Sequence, residues 1–202
     1  GVTHMKDSII LASSSVVRAK MLDCAGVKFK MVNHLVDEDK EKRIILKEKN
    51  KLVKLSEILA QKKAVSISNC YKDSIVIGCD QVLIYEGKLF SKPENKSDLI
   101  NQLSCLQGGK HYLFSSCCVV KKGTKRWVHT DKVTLTMRNL NAKKIETYVE
   151  ENWEEVKLSV GGYNIESRGI KLFRYIKGDY FSVLGIPLTQ LLNFLISINA
   201  IE

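Results

Sequence analysis

The chain has little proline. Pro93 and Pro187 are the only two in 202 residues, and no Pro-, Gly- or Ser-rich tract marks a linker or a low-complexity segment. It lacks any apolar run long enough to span a bilayer, which excludes a membrane-crossing helix. No charged-then-apolar leader with a small-residue cleavage site opens it, so no secretory leader is expected. None of the six cysteines forms a C-x-x-C pair, and the four histidines show no zinc spacing. Cys79 and Cys117 sit in apolar runs, where a free thiol behaves as a small hydrophobe. Free thiols of this kind read as a reducing, cytoplasmic compartment.

What is present fits a globular protein: 45% apolar residues in a chain long enough for one substantial core. Residues 1–5 read as a cloning remnant ahead of a natural Met5, so the fold is sought in 6–202. The net charge of +10 suits a polyanion such as a nucleotide, a membrane surface or nucleic acid, or reflects a lysine-rich proteome. Many of the lysines lie in 40–63, spread around a helix and not interleaved with aromatics. That pattern speaks against a dedicated nucleic-acid face.

In chain order, an apolar run at 9–12 breaks into Ser13-Ser14-Ser15, and a helix follows with Val17, Met21, Leu22 and Ala25 on one side and Gly26 at its end. Hydroxyls at a helix start, with Arg18 in the first turn, form either ordinary caps or an anion cradle. Residues 29–36 read as a strand ending in Asp37-Glu38-Asp39, either a solvated helix start or oxygen ligands for a hard cation. Residues 40–70 are dominated by helix formers, with Leu52, Leu55, Leu59 and then Lys63 at helical spacing. A lysine on the apolar stripe either snorkels or points into a cleft.

Residues 74–84 are the most apolar strand, interrupted by Asp80. A carboxylate there is costly unless paired, hydrogen-bonded or metal-bound, and strand ends in α/β folds host catalytic groups. Glu86-Gly87-Lys88 reads as a hairpin turn, and Pro93 holds Lys92 extended. A helix over 98–106, a hairpin of strands 112–120 and 127–137, a helix over 142–151 closed by Asn152-Trp153, and a strand over 170–176 are expected. Between the last two lies a glycine-punctuated loop, 160–169, and Pro187 opens a closing amphipathic helix.

These pieces, in this order, resemble the Maf family of nucleoside triphosphate pyrophosphatases. The resemblance runs from Ile9 to the last helix. It rests on Leu11-Ala12-Ser13-x-Ser15-x-x-Arg18, Val36-Asp37-Glu38, Lys63-Ala64, Ile77-Gly78-Cys79-Asp80-Gln81, Lys92-Pro93, Gly161-Gly162-Tyr163, Gly178-Asp179-Tyr180 and Leu184-Gly185-Ile186-Pro187-Leu188. It implies an α/β fold similar to inosine triphosphate pyrophosphatases: a mixed central sheet flanked by helices, two lobes and a cleft between them. It implies cleavage of the α–β phosphate bond of a nucleoside triphosphate with Mg2+ or Mn2+, and suggests a homodimer. By position, Asp80 matches the catalytic aspartate, as general base or metal holder. Ser13, Ser15 and Arg18 match the first phosphate-binding motif, and Glu38, Lys63 and Lys92 the other charged cleft residues. Hard-oxygen chemistry selects Asp80 and Glu38 for the metal, and Arg18, Lys63 and Lys92 for the phosphates. Val16 and Val17 stand where the family has Pro followed by Arg or Trp. Gln81 and Glu166 resemble the branch acting on 7-methyl-GTP, which has Trp at the place of Val17, so Val17, Gln81 and Glu166 are the expected specificity positions. The competing reading is a nucleotide- or nucleic-acid-binding regulator of septum formation with little turnover.

Overall fold

Ile9–Leu11 form β1, with all three side chains buried. The computed structural model describes residues 7–202, so the expected remnant at 1–5 lies outside the described residues. After β1 come α1 (Val16–Cys24), β2 (Lys30–Met31), α2 (Glu38–Ile45), α3 (Leu55–Ser68), β3 (Ile75–Tyr85), β4 (Lys88–Phe90) and α4 (Lys96–Leu106). The second half holds β5 (Lys110–Lys121), β6 (Thr124–Met137), α5 (Ala142–Val156), β7 (Phe173–Lys177), α6 (Tyr180–Leu184) and α7 (Leu188–Ser197). The strands make one mixed sheet in the order β2-β1-β3-β5-β6-β7, with β4 paired to β3. β1 is parallel to β2 and β3, whereas β4 and β7 run antiparallel to β3 and β6. This is the expected α/β class with a mixed sheet. Among the described residues no helix is long and apolar enough to cross a membrane.

Both expected hairpins are present. Glu86 and Gly87 (φ 49° and 73°) and Lys122 and Gly123 (φ 53° and 72°) make two-residue turns with both residues left-handed, the geometry that matches strand twist.

Five expectations change. The strand over 29–36 shrinks to Lys30–Met31, because the segment after it gives its backbone to side chains: Leu35 N–H donates to Ser66 Oγ and Val36 N–H to His34 Nδ1. The helix-forming run 40–70 divides at left-handed Asn50 (φ 64°) into α2 and α3. α5 passes through Asn152 and Trp153 to Val156, since buried Asn152 turns its amide onto the Tyr148 carbonyl (2.8 Å) inside the helix. The last strand starts only at Phe173, after a 3-10 turn over Arg168–Leu172. On α1, Met21 and Leu22 are buried as expected, but Val17 and Ala25 are exposed.

The chain divides into two compact units. The first comprises residues up to Asp80, Ser115–Asp131 and Gly185–Glu202, and the second Gln81–Phe114 and Lys132–Leu184. The second unit is packed around Leu99, Leu103 and Leu106 of α4, Val133 and Leu135 of β6, and Ile145 and Val149 of α5. The first holds a smaller cluster in which Ala60 and Ala64 of α3 meet Ile10, Val76, Cys118 and Val120.

Small residues set the distance between α3 and β3. A Cβ on Gly78 would collide with the Ala60 carbonyl oxygen and lie 2.8 Å from the Ala64 nitrogen. Backbone cannot yield as a side-chain tip does, so Gly78→Ala must push α3 off the strand. Overpacking of this kind costs about 1–3 kcal/mol, which for a chain of this size lowers Tm by roughly 3–10 °C. A thermal melt checks this, and an unchanged Tm would mean α3 is free to ride over the methyl.

Candidate active site

Two of the three serines after β1 organise the start of α1. Ser13 is buried and its Oγ accepts from the Ser15 N–H (3.0 Å), while Ser15 is the N-cap and its Oγ accepts from the Arg18 N–H (3.2 Å). Such a cap contributes about 1 kcal/mol and leaves the positive end of the helix dipole facing outward. Arg18 is half-buried, and its Nε donates to the Gly185 carbonyl (2.8 Å). Gly185 has φ 122°, and a Cβ there would lie 3.2 Å from Arg18 Nε. The C-terminal motif therefore orients the guanidinium of the first motif. Val17, on the same turn, is exposed.

The lysine on the apolar stripe of α3 turns inward. Lys63 is 5% exposed, and its Nζ donates to Asp80 Oδ1 at 2.8 Å and meets Glu38 Oε1 at 2.5 Å. The sequence expectation places Lys63 on phosphate; the structure places its ammonium between two carboxylates. Asp80 is 5% exposed in the middle of β3 and not at a strand end, and its Oδ2 is buried with no hydrogen-bond partner among the described residues. Burial raises the Asp80 pKa, opposed by the charges of Lys63 and Arg18. Glu38 opens α2, behind the N-cap Asp37. Its carboxyl is held well below the usual range, first by its contact with His34 and then by Lys63, against the cost of burial. Glu41 pairs with Lys62 (3.2 Å), a second tie between α2 and α3.

Both carboxylates have one oxygen on the lysine. Lys63 holds Asp80 Oδ1 and Glu38 Oε1, and Asp80 Oδ2 and Glu38 Oε2 lie outside those contacts. Among the described residues no group of three or more His, Cys, Asp or Glu could hold a metal on protein ligands alone. Two carboxylates, one with an orphaned buried oxygen, fit a hard divalent cation that takes its other ligands from water and phosphate.

The remaining sequence candidates belong to the second unit. Gln81 is half-buried and its Nε2 donates to the carbonyls of Ser182 (3.1 Å) and Val183 (3.0 Å), tying β3 to α6. Lys92 is exposed beside buried Pro93. Glu166 is exposed on its loop, where its N–H donates to Asn164 Oδ1 (3.0 Å). The glycines of that loop have a packing reason. Gly161 and Gly162 are buried with φ 77° and 65°, and a Cβ on Gly162 would collide with Leu99. Tyr163, buried, meets His111 Nε2 at 2.8 Å.

Sequence reading passes over His34 and gives no role to Gly78 or Gly185. The one signal for His34 is its four-residue spacing from Glu38; for the glycines it is their place inside quoted motifs.

Lys63→Met leaves Asp80 buried beside Glu38 without its cation. A carboxyl whose folded pKa lies above its unfolded value adds stability at low pH, and that stability is lost as pH rises. The variant is expected to be about 3–5 kcal/mol less stable at pH 8, with a smaller deficit at pH 5. Urea unfolding at both pH values measures this, and a deficit independent of pH contradicts it.

A Maf-like protein family model matches residues 8–198. A nucleoside triphosphate pyrophosphatase of Ruegeria sp. (strain TM1040) is 39% identical over 191 residues, covering 95% of this chain and 96% of its own. That of Ruegeria pomeroyi is 40% identical over 187 residues, 93% and 94% of the two chains. A 7-methyl-GTP pyrophosphatase of Bartonella quintana is 40% identical over 189 residues, again 93% and 94%. With a family match over nearly its whole length and relatives of this identity and coverage, the chain belongs to the Maf-like protein family.

Proposed function

We propose that the chain hydrolyses the α–β phosphoanhydride of nucleoside triphosphates to a monophosphate and pyrophosphate in the cytoplasm. The observation that carries this reading is Asp80: a buried carboxylate with one oxygen on Lys63 and the other without a partner. The names of the relatives, nucleoside triphosphate pyrophosphatase and 7-methyl-GTP pyrophosphatase, support it.

The roles follow from charge and chemistry. Arg18 and the N-terminus of α1 offset the triphosphate charge, with Ser13 and Ser15 shaping that turn, and Lys92 supplies a further cation. Asp80 and Glu38 would hold a divalent cation, Mg2+ or Mn2+, which when bound polarises the phosphoryl oxygen and acidifies water. Lys63 opposes the rise that burial imposes on the Asp80 pKa and fixes the orientation of its carboxyl. Asp80 Oδ2 is the one oxygen of that carboxylate left for the reaction, either as ligand of the cation or as acceptor of the proton of the attacking water. The new bond is water oxygen to α-phosphorus. The bond broken is from α-phosphorus to the bridging oxygen, and pyrophosphate leaves with the electron pair. A protein that only bound phosphate would have no use for a carboxylate at this cost. Glu166, exposed on its loop, selects bases that present N–H donors, as guanine does at N1 and N2.

A product assay with standard and modified triphosphates and Mg2+ or Mn2+ tests this. Pyrophosphate is the expected product, with Asp80→Asn at least ~100-fold slower, in line with loss of general acid–base catalysis. Glu166→Gln is expected to alter the ranking of bases and to leave the cleaved bond unchanged. Orthophosphate as the first product, or full activity in Asp80→Asn, would contradict the proposal.

A further inference from the structure

His34 lies in the segment between β2 and α2, before the N-cap of α2, and no role in the reaction attaches to it so far. That segment is fastened to α3. Leu35 N–H donates to Ser66 Oγ (3.1 Å), and Ser66 Oγ donates to the carbonyl of Lys63 (2.7 Å). The backbone that carries His34 is thus held one turn from the lysine at the centre of the charge cluster.

The ring itself is fixed from both sides. Its Nδ1 accepts from the Val36 N–H at 3.1 Å. An accepting Nδ1 bears no proton, so the neutral ring carries its hydrogen on Nε2. Nε2 faces Glu38 Oε1 at 3.4 Å. Lys63 Nζ meets the same oxygen. Two nitrogens, one from the segment before α2 and one from α3, therefore meet Oε1, the Glu38 oxygen in both contacts. His34 and Glu38 side chains are 18% and 33% exposed, so the contact is partly shielded from water, which would otherwise compete for the carboxylate.

We propose that His34 is a positioning residue for Glu38, its Nε2–H pinning one carboxylate oxygen so that the other is presented to a divalent cation. This rests on the metal role given to Glu38 in the proposed function. A freely rotating glutamate at a helix start has several rotamers of similar energy, and ordering it opposes ligation. A fixed partner removes that cost in advance. Partners of this sort, one bond behind a metal ligand, typically change metal affinity or activity by about 10–100-fold when removed.

Two substitutions separate the two jobs of the ring. His34→Asn keeps an oxygen that can accept from the N–H two residues on, as Asn does in turns, but it has no group that reaches Glu38. His34→Gln places an amide nitrogen near the position of Nε2 and restores a donor toward Glu38. The full chain would be titrated with Mn2+ in the presence of α,β-methylene-GTP, which is not cleaved at that bond, with free Mn2+ read by electron paramagnetic resonance. Expected is a roughly 10-fold loss of Mn2+ affinity in His34→Asn, with His34→Gln within about 3-fold of wild type and both melting near wild type. Glu38→Gln should lose affinity, and adding His34→Asn to it should cost little more, because the pair acts as one unit. Wild-type affinity in His34→Asn would overturn the proposal, as would equal losses in the two His34 variants or additive losses in the double variant. Pyrophosphate release by the wild-type chain is measured alongside. Its absence would sink the proposed function, whereas the Mn2+ titration reads the coupling of His34 to Glu38 without turnover.

Discussion

One ammonium group between two carboxylates is the interaction on which the site depends. Lys63 Nζ meets Asp80 Oδ1 at 2.8 Å and Glu38 Oε1 at 2.5 Å, with Lys63 and Asp80 both 5% exposed. Such a cluster is a poor device for stability, since desolvating charges costs several kcal/mol per ion and apolar residues of similar volume often serve as well. Its value is chemical. With Asp80 ionised the three side chains sum to one negative charge, and Lys63 meets one oxygen of each carboxylate while Asp80 Oδ2 has no partner among the described residues. The lysine favours the charged form of a buried carboxyl without occupying both of its oxygens. Removal of any member leaves an uncompensated charge or an undirected one.

The scaffold serves that spacing. Gly78 lets α3 sit directly on β3 beside Ala60 and Ala64, and Lys63 is the residue next to Ala64. The segment ahead of α2 crosses to Ser66 on the same helix, bringing Glu38 to the lysine from the other side. Gly185 presents its carbonyl to Arg18, so residues 167 positions apart set the guanidinium plane. Each of these is a contact between segments remote in sequence, and each depends on a small residue or a backbone group in place of a second charged side chain.

This explains what could be read in advance. Asp80 stood out because a carboxylate inside an apolar strand violates a local rule, and Lys63 because it continues a leucine stripe. The three serines, Arg18 and the two hairpin turns were legible from local chemistry: a cap, a first turn, and residues that tolerate left-handed backbone. The strand over 29–36 was misread because its patterning is mixed and backbone N–H groups of its second half go to the side chains of His34 and Ser66, which no local pattern announces. Asn152 looked like a helix stop and is a buried helix residue instead, since its amide finds a carbonyl one turn back. The inward aim of Lys63 and the service of Gly78 and Gly185 follow only once α3, β3 and the C-terminal segment are in place.

The central claim is that burial of Asp80 costs its charge more than Lys63 and Arg18 return. Carbon-13 NMR of the chain labelled at aspartate Cγ, titrated with Asp80→Asn as the assignment control, tests it most directly. The account predicts one aspartate resonance, missing in Asp80→Asn, that titrates above the ordinary aspartate range. An Asp80 resonance that titrates within or below that range would contradict the account, because it would mean that the neighbouring cations offset the whole cost of burial.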